Sequence, residues 1–234
     1  MVVFSLEQIE DEETFEEDLI EKFVKEFPKH EVLYCADPPK DSIPIGSVDW
    51  CEKVYGHFTP DYYPKILKDT FNRNIYLDDY KNVKNKKIFI KPALKYKTWN
   101  GHINELNEDI DELVWCSDII EIENEWRYYI ANGECFASVW YDGVITDKEI
   151  ISGIKPPDPI DLSNSNTVNL LDILKENNYY GVVDFCMTKQ NKFTLVEAHH
   201  PYAFGWYTDD YITYGKYLIE CDKYLKLINN TICN

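Results

Sequence analysis

The sequence predicts an α+β protein, with a small α/β layer at the N-terminus and antiparallel sheet lobes behind it. Three observations carry that expectation. A run of helical period over residues 15–27 precedes a short strand at 31–35 and a strand–helix pair within 43–55, the alternation that builds an α/β layer. Beyond residue 86 the texture turns to apolar runs joined by turn signals, Asn132-Gly133 foremost among them. Of the 234 residues, 44% are hydrophobic and 15% aromatic, enough apolar material to fill a core and to exclude a disordered chain. The expected division is a layer over residues 1–85 and the sheet lobes over 86–234.

Taken in order, Phe15, Leu19, Ile20, Phe23, Val24 and Phe27 share one helical face, and Pro28 ends the run. Glu10, Asp11, Glu12, Glu13, Glu16, Glu17, Asp18 and Glu21 crowd its start, where acids suit the positive end of a helix dipole. They form either a solvated face or a docking surface for a basic protein partner. Glu31-Val32-Leu33-Tyr34-Cys35 reads as a strand and Pro38-Pro39 as a turn. Ile43-Pro44-Ile45-Gly46-Ser47 leads into a helix marked by Val48, Cys51, Val54 and Tyr55. Ile88-Phe89-Ile90 is a strand ending at Lys91-Pro92, after a basic patch of Lys81, Lys84, Lys86 and Lys87. Residues 113–122, 127–130 and 135–140 are β-rich. Pro156, Pro157, Pro159 and a Ser/Asn cluster make 144–166 a long, lid-like loop. A helix over 168–176 precedes strands at 181–186 and 193–198, joined by Lys189-Gln190-Asn191-Lys192. The closing helix puts Tyr214, Tyr217, Leu218, Cys221, Leu225 and Ile228 on one face.

Charge removes several functions. Against 24 basic residues stand 42 acidic ones, a net charge of −18 that repels nucleic-acid backbones and anionic membranes. No run approaches the roughly 20 apolar residues of a membrane span, and Met1-Val2-Val3-Phe4-Ser5-Leu6 lacks the basic start of a signal peptide. Seven cysteines, odd in number and without a CxxC pair, read as reduced thiols of a cytoplasmic protein.

The chemistry concentrates in residues that a core strand tolerates poorly. Lys91, at the end of an apolar strand, is either a surface exit or the partner of an anion such as a nucleotide phosphate. Lys95 and Lys97 flank a short loop running to Gly101 and can bracket a polyphosphate. Only Arg73 and Arg127 are arginines. Alternation in Glu125-Trp126-Arg127 points Glu125 and Arg127 to one face, as a structural cross-pair or as a fork for phosphate or carboxylate. Asp184 and Glu197 sit on strands that pair as a hairpin, so they can face each other, which destabilises a sheet unless a cation lies between them. Magnesium takes such carboxylates and shares them with phosphates. His199 and His200 follow as capping, core or ligating groups, and no HExxH spacing supports a zinc hydrolase.

In order and spacing, Ile90-Lys91-Pro92, Lys97-Thr98-Trp99-Asn100-Gly101, Glu125-Trp126-Arg127, Asp184 and Glu197-Ala198-His199 resemble the ATP-grasp superfamily, especially a clade of short, often phage- or virus-associated members. The segments Ile43-Pro44-Ile45-Gly46-Ser47 and Arg73-Asn74-Ile75 extend the likeness over about residues 42–210. The resemblance implies an ATP-grasp fold, residues 86–234 forming that domain, and an ATP- and Mg2+-dependent carboxylate–amine or thiol ligase acting through an acylphosphate. It places Lys91 on the α/β-phosphates and Lys97 on the β/γ-phosphates. Asp118, Ile119 and Glu121 fall in the hinge that reads adenine, and Glu125 at the ribose. Arg127 is matched to the γ-phosphate or acyl substrate, and Asp184 and Glu197, with His199 where the superfamily usually has Asn, to the metal. A second reading is a non-ligating relative that assists assembly of a partner protein.

Overall fold

The computed structural model describes every residue except 9–13, 60, 72, 96–97, 105–109, 146, 164–169 and 233–234. Among the described residues the strands form three sheets. The first is parallel, with β1 (Val3–Glu7) between β2 (Glu31–Cys35) and β3 (Ile43–Ile45). Sequence reading passes over β1 because it is short and runs into acid, yet its Phe4 and Leu6 are fully buried.

Helix α1 (Phe15–Glu26) covers this sheet. Its start is a reciprocal cap: Thr14 Oγ1 accepts from Glu17 N at 3.3 Å, and Glu17 Oε2 accepts from Thr14 N at 3.1 Å, a device worth about 1 kcal/mol. Part of the acidic cluster is thus used internally. Glu16 Oε1 accepts from Trp206 N at 3.1 Å, and Asp18 pairs with Lys22 one turn on. Residues 10–13 lie outside the described residues.

The closing helix α7 (Tyr211–Ile232) runs over the same layer. Tyr214, Tyr217, Leu218, Cys221 and Leu225 are buried on the face that the sequence marks. Leu225 meets α2 (Val48–Tyr55), which Ser47 caps by accepting from Trp50 N at 3.3 Å.

The second sheet is antiparallel, in the order β4 (Ile75–Asp79), β7 (Leu113–Ser117), β5 (Phe89–Pro92), β6 (His102–Ile103). It draws strands from both sides of the expected division at 85/86. Helix α4 (Tyr80–Val83) supplies Tyr80 and Val83 to its small core, beside Ile90, Val114 and Cys116. The β-rich run at 113–122 is not continuous: it breaks at residues 118–121, which pass from the second sheet to the third.

The third sheet has the order β11 (Phe193–His199), β10 (Gly181–Thr188), β8 (Ile122–Ala131), β9 (Glu134–Gly143), all antiparallel. The Asn132-Gly133 turn between β8 and β9 has both residues at positive φ, 51° and 68°, the two-residue hairpin that the dipeptide favours. One face buries Trp126, Tyr128, Val183, Phe185 and Leu195 beneath α3 (Lys65–Phe71) and α6 (Leu170–Glu176). The other carries the charged set described below.

After the short α5 (Asp147–Ile151), the chain corrects one expectation. Trp126 Nε1 donates to Pro157 O at 3.0 Å, Tyr128 OH donates to Ile160 O at 2.9 Å, and Leu162 enters the same core. The long loop therefore packs on the face away from the charged set and does not shield it. Two aromatic side chains with polar tips need acceptors there, and loop carbonyls supply them. Of the expected helix at 168–176, residues 168–169 lie outside the described residues.

The described cysteines are free thiols, four of them buried. Among the described residues, no helix is long and apolar enough to cross a membrane.

Candidate active site

Asp184 is fully buried at the centre of the third sheet. Strand register sets Arg127 of β8 beside it on one side and Glu197 of β11 on the other. Arg127 closes a fork on it, Nε to Oδ1 at 2.8 Å and Nη2 to Oδ2 at 2.7 Å. The guanidinium also lies 4.3 Å from the Tyr141 ring centre and 5.3 Å from that of Tyr207. Burial works to lower its pKa, but the Asp184 hydrogen bonds and charge outweigh burial and raise it. Arg127 is thus a fixed cation, oriented by a carboxylate and two aromatic faces.

Lys91 approaches from the second sheet and pairs with Glu197 Oε2, so one ion pair joins β5 to β11. Its Nζ also sits 4.6 Å from the Tyr62 ring centre. Burial pulls the Lys91 pKa down to about 8, against the opposing charges of Asp184 and Glu125. Gly101 lies on the lysine stem, and a Cβ there would stand 2.5 Å from Lys91 Cγ. Only glycine permits that approach.

Glu125, two residues before Arg127, is buried beside Asp184. Burial first, then the Asp184 charge, pushes its pKa up to about 8. His199 Nε2 lies 3.1 Å from Glu197 Oε1 and 3.8 Å from Asp184 Oδ2. Donor atoms of Asp184, Glu197 and His199 fall within 4.8 Å of one another, a metal-capable cluster among the described residues. His200 points elsewhere: its Nε2 is 3.2 Å from Thr59 O, and burial lowers its pKa.

Two cavities meet at Lys91, Gly101 and Glu197. One, of about 430 Å³, lies between the second and third sheets and is lined by Asp118, Ile119, Ile120, Arg73 and Glu125. Its apolar walls suit a flat ring. The other, of about 320 Å³, is lined by Arg127, Tyr141, Tyr207 and His199. A third, of about 680 Å³, opens against the N-terminal layer and shares Ala203, Phe204 and Gly205 with the second. An apolar slot thus continues into a cationic–acidic chamber and then into a wider one.

A family model for an ATP-grasp domain, the second family of its clade, matches residues 71–217. The chain belongs to that family. Among solved structures it is similar to a RimK domain ATP-grasp protein from Sphaerobacter thermophilus, with a TM-score of 0.53 and 11% identity over 93% of this chain and 100% of that one. It is also similar to N5-carboxyaminoimidazole ribonucleotide synthetase from Thermotoga maritima, with a TM-score of 0.51 and 13% identity over 94% and 76%. For D-alanine–D-alanine ligase from Bacillus anthracis, solved with ATP, the TM-score is 0.50 and the identity 10% over 97% and 99%. At these identities the likeness shows the ATP-grasp fold. Among curated proteins nothing matches the chain.

Within this ATP-grasp cleft the structure brings together Lys91, Glu125, Arg127, Asp184, Glu197 and His199, and lines the apolar slot with Asp118 and Ile119. Lys97 lies outside the described residues. Glu121 is placed differently from the expectation. Its carbonyl accepts from Lys189 N at 2.9 Å and its carboxylate from Gln190 Nε2 at 3.2 Å, so both acceptors turn to the β10–β11 turn. A carboxylate one residue before a strand follows the pleat, and here the pleat faces away from the slot.

Arg73 is a site residue that the sequence does not announce. Its Nη1 donates to Leu195 O at 2.6 Å and Val196 O at 3.3 Å, and its Nη2 donates to Ser117 Oγ and Asp118 O, both at 3.0 Å. It ties the 118–121 crossing to β11. Its only advance signal is arginine itself, used twice in a lysine-rich chain.

Proposed function

We propose that the protein is an ATP-dependent ligase joining a carboxylate to an amine or thiol through an acylphosphate. The observation that carries this reading is the chamber where Lys91 and Arg127, from different sheets, converge on the paired acids Asp184 and Glu197. Phosphoryl transfer demands positioning and charge neutralisation more than covalent help, and that is what these residues supply.

ATP fits the cavities in one direction. The adenine lies in the slot against Ile119 and Ile120, where the backbone at 118–120 reads its edge. Glu125, carrying a proton at neutral pH, donates toward the ribose. Lys91 exchanges Glu197 for the α/β-phosphates, and Lys97 closes over the β/γ-phosphates. Two of the five Arg127 donors are held by Asp184, leaving the others for the γ-phosphate or the acyl carboxylate.

The donor set fits a divalent cation: two carboxylates and an imidazole, with positions left for phosphate oxygens. Asp184, Glu197 and His199 hold the ion, Mg2+ by family resemblance, and when bound it neutralises phosphate charge. In the first step a carboxylate oxygen bonds to the γ-phosphorus as the β–γ bridge bond breaks and ADP leaves. In the second, the amine or thiol attacks the acyl carbon, phosphate leaves, and the nucleophile loses its proton.

The test is ADP release against pooled amino acids and small peptides. Stimulation that needs one carboxylate together with one amine or thiol supports the ligase. Nucleotide binding without acceptor-dependent turnover supports instead an assembly factor acting on a partner protein, for which the acid-rich N-terminal helix is the candidate surface.

A further inference from the structure

We infer that this metal centre selects a transition-type divalent ion, Mn2+ serving as the probe, over Mg2+, and that His199 is the selecting residue. The inference rests on the ligase reading for the presence of an ion in the chamber and deepens it by naming the ion's class.

The argument starts from the donors. His199 Nε2 is 3.1 Å from Glu197 Oε1 and 3.8 Å from Asp184 Oδ2. Ligands at about 2.1 Å in an octahedron stand about 3.0 Å from adjacent ligands and about 4.2 Å from opposite ones. Both distances fall within that frame, so the imidazole nitrogen stands where a ligand must stand. The ring is held in place: its centroid lies 5.8 Å from that of Tyr62, edge to face, and Glu197 is itself fixed by Lys91.

Magnesium binds oxygen and gives up water reluctantly, whereas imidazole suits the first-row transition ions, whose affinity rises from manganese toward copper. One nitrogen among three protein donors therefore biases the centre away from Mg2+. A second imidazole would carry the bias to zinc or iron chemistry, but His200 is turned to Thr59 O. The centre keeps a single nitrogen and enough oxygen to share an ion with phosphates.

The test titrates the intact protein with Mn2+ and follows the free-ion EPR signal. Mg2+ serves as competitor, with and without a non-hydrolysable ATP analogue. Pulsed EPR on bound Mn2+ reads coupling to a directly coordinated 14N. The wild type is expected to prefer Mn2+ and to show the nitrogen coupling. His199→Asn, checked for fold by circular dichroism, is expected to lose the coupling and to weaken Mn2+ binding by about 10–100-fold while Mg2+ affinity holds within twofold. His200→Asn is expected to leave both unchanged.

A wild-type protein without nitrogen coupling, or a His199→Asn protein with an unaltered Mn2+/Mg2+ ratio, overturns the inference. Neither readout needs turnover. Nitrogen-coupled Mn2+ in a protein that never releases ADP sinks the ligase and leaves the inference standing. Acceptor-dependent turnover with no coupled nitrogen does the reverse.

Discussion

Arg127 and Asp184 form a buried pair whose partners cannot be removed singly. Asp184 is fully enclosed, and the fork satisfies both its oxygens. Removing one member of such a pair typically costs about 3–5 kcal/mol, because the survivor stays charged and unpartnered. Arg127→Met should therefore destabilise the fold by that order in urea titration. Arg127→Met with Asp184→Leu should recover most of the loss. Equal destabilisation by the single and double variants would show that the pair is incidental.

Glu125 and Arg127 on one face, and Asp184 opposite Glu197, were legible in sequence because strand alternation and hairpin register fix them locally. The Tyr62, Tyr141 and Tyr207 rings around the two cations were not. Each arrives from a separate element, and nothing in a tyrosine's neighbours along the chain says which cation it will cover.

Among the elements, the segment carrying Gly101 makes the sharpest demand. A Cβ there would meet Lys91 Cγ at 2.5 Å, Lys91 Cε at 2.7 Å and Phe89 Cζ at 2.8 Å. Gly101→Ala should move Lys91 off its station, weakening nucleotide binding about tenfold or more while shifting stability by only about 1–3 kcal/mol. Calorimetric binding set beside urea titration separates the two, and unchanged affinity would mean that the lysine's place is not set by the loop.

Helices α1 and α7 and the strands around Asn132-Gly133 could be read in advance because period and turn chemistry mark them strongly. Strands β4 and β6 could not: β4 ends in two aspartates, and β6 has two residues. The break at 118–121 was hidden by apolar residues continuing across it, because Ile119 and Ile120 line a slot rather than a sheet. The long loop was misplaced for a related reason, since composition marks a loop but not the face it covers.

Over the whole molecule, charge couples the cleft to stability. Glu125 has a folded pKa of about 8 against a usual 4.5, so between those values the folded protein keeps a proton that the unfolded chain has lost. Its contribution to stability therefore falls as pH rises through that window, by at most about 1.4 kcal/mol per pH unit. Lys91 runs the other way. With a folded pKa of about 8 against 10.5, its contribution recovers as pH climbs from 8 to 10.5.

Glu125→Gln should become progressively more stable relative to wild type between pH 5 and pH 8, measured by urea titration at each pH. A constant difference would show that Glu125 ionises normally in the fold. The net charge of −18 leaves this cleft as the place where Lys91 and Arg127, backed by Arg73 at the crossing, assemble for an anion.

Calorimetric titration with a non-hydrolysable ATP analogue and a divalent cation, run on wild type and Lys91→Ala, addresses the cleft most directly. One saturable site is expected in wild type, weakened in the variant by roughly 2–5 kcal/mol, the cost of stranding charges that had partners. Failure of the wild type to bind, or equal binding by the variant, would contradict the assignment of this inter-sheet chamber to a nucleotide.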